Sequence, residues 1–188
     1  MIGRLILILL SVFTISSCGF AWGGCPKVEY DFSNFTVANY TGKWYEIMRD
    51  KSIRFENGIC QEANYSLNVN GTLTVTNTEL INGKVNSVTG LAYPTSNPFR
   101  FKISFSNSAF GKLFKGDYQV ANTDYTSYSV VYSCTDLYFA RFEFFWVLSR
   151  NPLILQDDIA EFSSYLKEKF GFKDDQFHYS PQNDCGRK

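Results

Sequence analysis

Ala63-Asn64-Tyr65-Ser66-Leu67-Asn68-Val69 runs directly into Asn70-Gly71 and then Thr72-Leu73-Thr74-Val75-Thr76. Both arms alternate apolar with polar residues, the period of a strand with one buried and one wet face. Asn-Gly between such arms is a hairpin signal, because the tightest hairpin turns need positive φ at both central residues. The same grammar recurs downstream. Asn82-Gly83 leads into a strand over residues 84–92, and Phe99-Arg100-Phe101-Lys102-Ile103-Ser104-Phe105-Ser106 places every apolar side chain on one face.

Further strands are read at residues 43–48, 114–120, 128–132 and 141–149. With about eight strands in hairpin order, the sheet removes its edges by closing into an antiparallel barrel or by folding into a sandwich. After the last strand the period changes: Ile159, Phe162, Leu166 and Phe170 share one helical stripe over residues 156–170. Asp157 and Asp158 suit the positive N-terminal end of that helix, Lys167 and Lys169 its C-terminal end, and Gly171 stops it.

Nothing Pro-rich, Gly/Ser-rich or charge-dense divides the 188 residues, so one folded domain is expected. Eighteen Lys and Arg balance 18 Asp and Glu, which removes the basic footprint of a nucleic-acid binder. Residues 1–23 have a leader's layout: Arg4, an apolar run from Leu5 to Phe13, and a small-residue site at Ala21-Trp22-Gly23. Cleavage is expected before Gly24, leaving residues 24–188 as the mature domain, secreted and extracellular. Ser11, Thr14, Ser16 and Ser17 interrupt the run before it reaches spanning length. Ile15-Ser16-Ser17-Cys18 offers an alternative, a lipidated Cys18 that tethers the protein to a membrane.

Removal of the leader takes Cys18 from the set of five and leaves Cys25, Cys60, Cys134 and Cys185. An even set behind a leader reads as a disulfide framework with three possible pairings. No C-x-x-C or neighbouring His suggests zinc, and no metal or other cofactor is expected. Sequons begin at Asn34, Asn39, Asn64 and Asn70 and mark candidate glycosylation sites.

Gly42-Lys43-Trp44-Tyr45-Glu46, then Thr123-Asp124-Tyr125, then Arg150 resemble in order and spacing the three signature regions of the lipocalins. Asn64-Tyr65-Ser66-Leu67, Tyr132-Ser133-Cys134 and Trp146-Val147-Leu148-Ser149-Arg150-Asn151-Pro152 resemble the apolipoprotein D branch of that family. The resemblance implies an all-β, eight-stranded up-and-down barrel with the helix packed outside it. It also implies Cys25–Cys134 and Cys60–Cys185 bridges, each closing a loop of roughly 100 residues and contributing about 4 to 5 kcal/mol by chain entropy. Asn64 matches a glycosylated position of the family. Arg150 is implied to stack on Trp44 across the closed end, a structural role shared with Gly42, Thr123, Asp124 and Tyr125.

Strand parity turns one set of side chains inward. Tyr65, Leu67, Val75, Asn77, Phe101, Ile103, Tyr118, Tyr128, Phe144 and Trp146 are the expected ligand-binding wall, with Leu73, Phe105, Val120 and Val130 on the same faces. Tyr65 and Trp146 match pocket residues of the apolipoprotein D branch. Such a wall, with Asn77 as one polar contact in an apolar cup, suits a small hydrophobic ligand such as a fatty acid, sterol or retinoid. Phe110, Leu113 and Phe114 around Lys112 are expected at the barrel mouth, where they could touch a membrane or lipoprotein surface. Catalysis is not expected: His178 is the sole histidine, and no Ser or Cys has an evident base. A lipocalin-fold isomerase using a free barrel thiol is the enzymatic alternative, and a disulfide at Cys60 would consume that thiol.

Overall fold

The computed structural model describes residues 19–27, 35–105 and 116–186. Its barrel strands are β2 (Gly42–Asp50), β3 (Ile59–Leu67), β4 (Leu73–Ile81), β5 (Lys84–Pro94), β6 (Arg100–Phe105), β7 (Gly116–Thr123), β8 (Tyr128–Leu137) and β9 (Ala140–Ser149). Each pairs antiparallel with the next, and β9 pairs back onto β2 through Arg49↔Trp146 and Tyr45↔Ser149, closing the barrel. A short helix, α1 (Val37–Tyr40), precedes β2, and the long helix α2 (Gln156–Phe170) follows β9. The expected eight-stranded barrel with an external helix is the observed fold.

Two short strands extend the sheet: β1 (Phe20–Trp22) pairs with Ala140–Phe142 of β9, and β10 (Phe177–Tyr179) pairs with Met48–Asp50 of β2. Both cover edges left bare where the barrel strands diverge toward the open end. The turns differ between the two Asn-Gly pairs. Asn82 and Gly83 both take positive φ (52° and 74°) in a two-residue hairpin. At the first pair Gly71 alone does so (φ 83°), because Leu67 pairs with Leu73 and the link runs through residues 68–72. A single αL glycine after a four-residue turn gives the looser geometry.

The core has two layers. Inside the barrel, Trp44, Tyr65, Leu73, Val75, Phe101, Val120, Val131 and Leu148 pack together with Tyr40 of α1. Outside it, Met48, Ala121, Val130, Tyr132, Phe145 and Val147 meet Phe162, Leu166 and Phe170 of α2. Gly171 ends that helix in the αL conformation (φ 78°), its N–H donating to the Lys167 carbonyl at 3.0 Å.

Candidate functional site

The closed end is built around one cation. The Arg150 guanidinium lies over the Trp44 ring, 3.6 Å from its centroid. It donates to the carbonyl oxygens of Lys43 (2.6 Å), Thr41 (2.8 Å) and Tyr125 (3.1 Å). Gly42 takes φ 93°, and a Cβ there would come 3.3 Å from Arg150 Nη1, so the glycine answers both backbone and space. Thr123 Oγ1 donates to the Tyr128 carbonyl at 2.7 Å, and Asp124 Oδ1 accepts from the N–H groups of Thr126, Ser127 and Tyr128. Partial burial opposes the charge on Asp124, but the bonds from Ser127 and its neighbours outweigh it and hold the carboxyl below the usual range.

Above this plug three phenols converge. The Tyr118 hydroxyl lies 2.8 Å from that of Tyr65 and 3.0 Å from that of Tyr40, which is 2.9 Å from Ser129 Oγ. Burial is the main influence on all three; it pushes the Tyr40 hydroxyl up to about 12 and holds Tyr65 and Tyr118 well above their ordinary value. The cluster stays neutral and supplies hydroxyl groups at the floor of the barrel. Tyr40 and Ser129 were not anticipated, because α1 and the facing of β8 carry no periodic signal strong enough to place them.

Toward the open end burial falls along the inner wall. Val75 and Phe101 are 1% and 2% exposed, whereas Ile103, Phe105, Tyr118, Phe144 and Trp146 are only partly buried and Asn86 is exposed. The inner wall thus keeps accessible apolar surface toward the open end, and this partly filled region is the candidate cup. Its polarity exceeds the expected single amide. Trp146 Nε1–H donates to Glu56 Oε2 at 3.2 Å, and Arg49 Nε lies 3.4 Å from Glu56 and 3.5 Å from Glu46. Ser180 Oγ–H donates to Glu46, and Glu79 accepts from the N–H groups of Asn57 (3.0 Å) and Gly58 (2.6 Å). Burial, then the nearby charge of Glu56, holds the Glu46 carboxyl well above the usual range, and burial likewise raises Glu56. Asn77 Oδ1 is buried and has no hydrogen-bond partner among the described residues. Parity carries the missed signal, since Glu46 follows Trp44 by two and Glu79 follows Asn77 by two.

The match to known proteins follows the same residues: 41–184 correspond to the lipocalin / cytosolic fatty-acid binding protein family. This chain is a lipocalin. It is 37% identical to apolipoprotein D of Rattus norvegicus over 168 residues, covering 87% of this chain and 84% of that one. It is 28% identical to the bilin-binding protein of Pieris brassicae over 163 residues, covering 86% and 85%. Lobster apocrustacyanin A1 shares the fold at a TM-score of 0.74 and 20% identity, with 90% of this chain and 94% of that one covered.

Several side chains of this lipocalin stand elsewhere than parity suggested. Tyr128 and Val130 face outward against α2, the Tyr128 ring 5.0 Å from that of Phe162, while Ser129 and Val131 face in. Both faces of β8 are buried, so its sequence does not alternate and the more apolar face is the outer one. Leu67 keeps its inward parity but sits at the closed rim opposite Leu73, 48% exposed, and does not reach the cup. Tyr65, Val75 and Phe101 belong to the packed floor together with Tyr118, which pairs with Phe101 across β6 and β7. Phe110, Leu113, Phe114 and Asn34 lie outside the described residues; Asn39, Asn64 and Asn70 are exposed. Cys25 is bridged to Cys134 and Cys60 to Cys185. A surface cleft of about 480 Å³ beside Arg150, Leu155 and Phe162 lies outside the barrel at the foot of α2, remote from the converging polar groups of the cup.

Proposed function

We infer that the protein is a secreted lipocalin that binds and carries one small, largely hydrocarbon molecule in its cup. The observation that carries this reading is the inner wall itself. It is packed solid at the tyrosine floor and incompletely buried above it, with Ile103, Phe105, Phe144 and Trp146 as apolar surface and Asn77 Oδ1 as an acceptor without a partner among the described residues. Apolar walls with a few directed polar groups bind ligands that are mostly hydrocarbon and carry one or two polar atoms. Fatty acids, sterols, retinoids and tetrapyrroles fit that description, the last class supported by the likeness to a bilin-binding protein. The hydroxyl of such a ligand would donate to Asn77, and its chain or ring would lie against Trp146.

An extracellular setting accords with the leader and with two disulfides that close long loops. Exposed Asn64 is the leading candidate for a glycan. Carriage is favoured over catalysis because Cys60 is held in a disulfide, which leaves it no nucleophilic thiol. Phe110, Leu113 and Phe114, which follow β6 in the sequence, are proposed as a contact with lipid surfaces during loading. Native mass spectrometry of protein secreted by its own source, with organic extraction of what it holds, tests the reading. A stoichiometric hydrophobic compound is expected; an empty protein that also refuses hydrophobic ligands in solution would refute it.

A further inference from the structure

Cleavage before Gly24 would remove β1, yet Gly19–Trp22 is fitted to the folded barrel. Its strand pairs with β9 in the register Phe20↔Phe142 and Trp22↔Ala140. Glu143 N–H donates to the Gly19 carbonyl at 2.7 Å, and Gly23 N–H to the Phe139 carbonyl at 2.9 Å. Arg141 Nη1 donates to the Trp22 carbonyl at 2.8 Å, while the Trp22 ring stacks on Phe139 with centroids 6.1 Å apart. Gly19 is the most telling residue. It is buried at φ 61°, and a Cβ there would fall 2.5 Å from Phe144 Cε1 and 3.0 Å from the Glu143 carbonyl oxygen.

A leader discarded before folding has no reason to satisfy those contacts. Without β1, moreover, the edge of β9 at Ala140–Phe142 lies beyond the reach of β2, which pairs with Trp146–Ser149. Its backbone groups and the half-exposed Phe142 would stand open beside Phe139, an invitation to edge-to-edge pairing. The sequence supplies a second small-residue site just upstream: Ser16-Ser17-Cys18, with Ser three residues and Cys one residue before the bond to Gly19.

Resting on the secretion reading above, we propose that the processing site is the Cys18–Gly19 peptide bond and that the mature chain begins at Gly19. Hydrolysis of that bond by a signal peptidase consumes one water, leaving a carboxylate on Cys18 in the leader and an α-amine on Gly19. The odd thiol departs with the leader, β1 remains, and Cys25 keeps its bridge to Cys134.

The test is to express the full chain in a secreting eukaryotic cell and measure the N-terminal peptide and intact mass of the deglycosylated protein from the medium. A first peptide beginning Gly19-Phe20-Ala21-Trp22 is expected. A mature protein beginning at Gly24, or at an acylated Cys18, overturns the proposal and leaves the carrier reading standing; protein retained in the cell with its leader uncut defeats the secretion reading as well. Gly19→Val gives an independent arm. If residue 19 is retained, the secreted variant carries the added mass and melts roughly 3–8 °C lower, from the clash with Phe144 and the strained φ. A secreted Gly19→Val protein identical to wild type in mass and melting temperature contradicts the assignment.

Discussion

Arg150 and Trp44 form a stacked pair, 3.6 Å from guanidinium carbon to ring centroid, in which the cation also holds the backbone of α1 and the start of β2 through carbonyls of residues 40, 41 and 43. The pair ties the end of the last barrel strand to the beginning of the first. Arg150→Ala removes a partly desolvated cation–π contact worth about 1 to 2 kcal/mol together with several charge-assisted bonds. A loss of about 3 kcal/mol is expected, or roughly 6–12 °C in melting temperature. Ligand affinity in the folded fraction should stay within about threefold. Loss of binding at unchanged melting temperature would show that the closed end belongs to the ligand site.

How far the fold was legible depends on what covers each face. Strands such as β6 and β3 have one wet face, so Phe101, Ile103 and Tyr65 declared their side of the sheet at once. In β8 the helix buries the outer face, both sides of the strand are covered, and alternation does not say that Tyr128 faces out. The cup's charged groups were legible by parity on β2 and β4. Expectation passed over them, since a buried Glu46 is reasonable only once Arg49, Glu56 and Ser180 are seen beside it. Ser180 arrives from a tail 134 residues further along the chain, a contact no local pattern encodes.

Glu46 gives the barrel a pH signature. Its folded-state carboxyl is held well above the ordinary 4.5 by burial and by Glu56. The folded protein therefore binds more protons than the unfolded chain from about 4.5 upward, and this group's contribution to stability falls as pH rises through that window. Glu46→Gln removes the titration while keeping an acceptor for Ser180. Thermal melts between about pH 4.5 and 8 should show the variant gaining on wild type as pH rises. His178, pulled below 6.5 chiefly by burial, has the opposite trend but is common to both proteins and cancels in the difference. A constant offset across the range would mean that Glu46 is ionised throughout.

The C-terminal tail depends on its bridge. Cys60–Cys185 spans 125 residues and anchors a segment whose Phe177–Tyr179 pairs with β2 and whose Gln182 donates to the Glu46 and Gln61 carbonyls at 2.7 and 2.8 Å. Replacing both cysteines with alanine should cost roughly 2–5 kcal/mol. Hydrogen exchange at residues 177–182 should rise well before the barrel amides do. Equal protection of tail and barrel in the variant would show that β10 holds without its covalent tie.

Trp146 stands between the packed floor and the open cup and is oriented by its bond to Glu56. Ligand binding should perturb tryptophan fluorescence, and Trp146→Phe should abolish most of that change while weakening binding only about three- to tenfold, because an aromatic ring still fills the wall. A signal that persists undiminished in the variant would locate the ligand near Trp22 or Trp44 instead.

Carriage itself is tested most directly by equilibrium titration of wild-type protein, stripped of lipid and verified as folded by its melting transition, against fatty acids, sterols, retinoids and tetrapyrroles. The account predicts saturable binding of at least one class at one ligand per chain, weakened by substituting a wall residue such as Ile103→Glu and unaffected by Tyr128→Phe on the outer face. A folded barrel that binds none of the panel would mean that its side chains close the cup, and the protein would not be a carrier of small hydrophobic molecules.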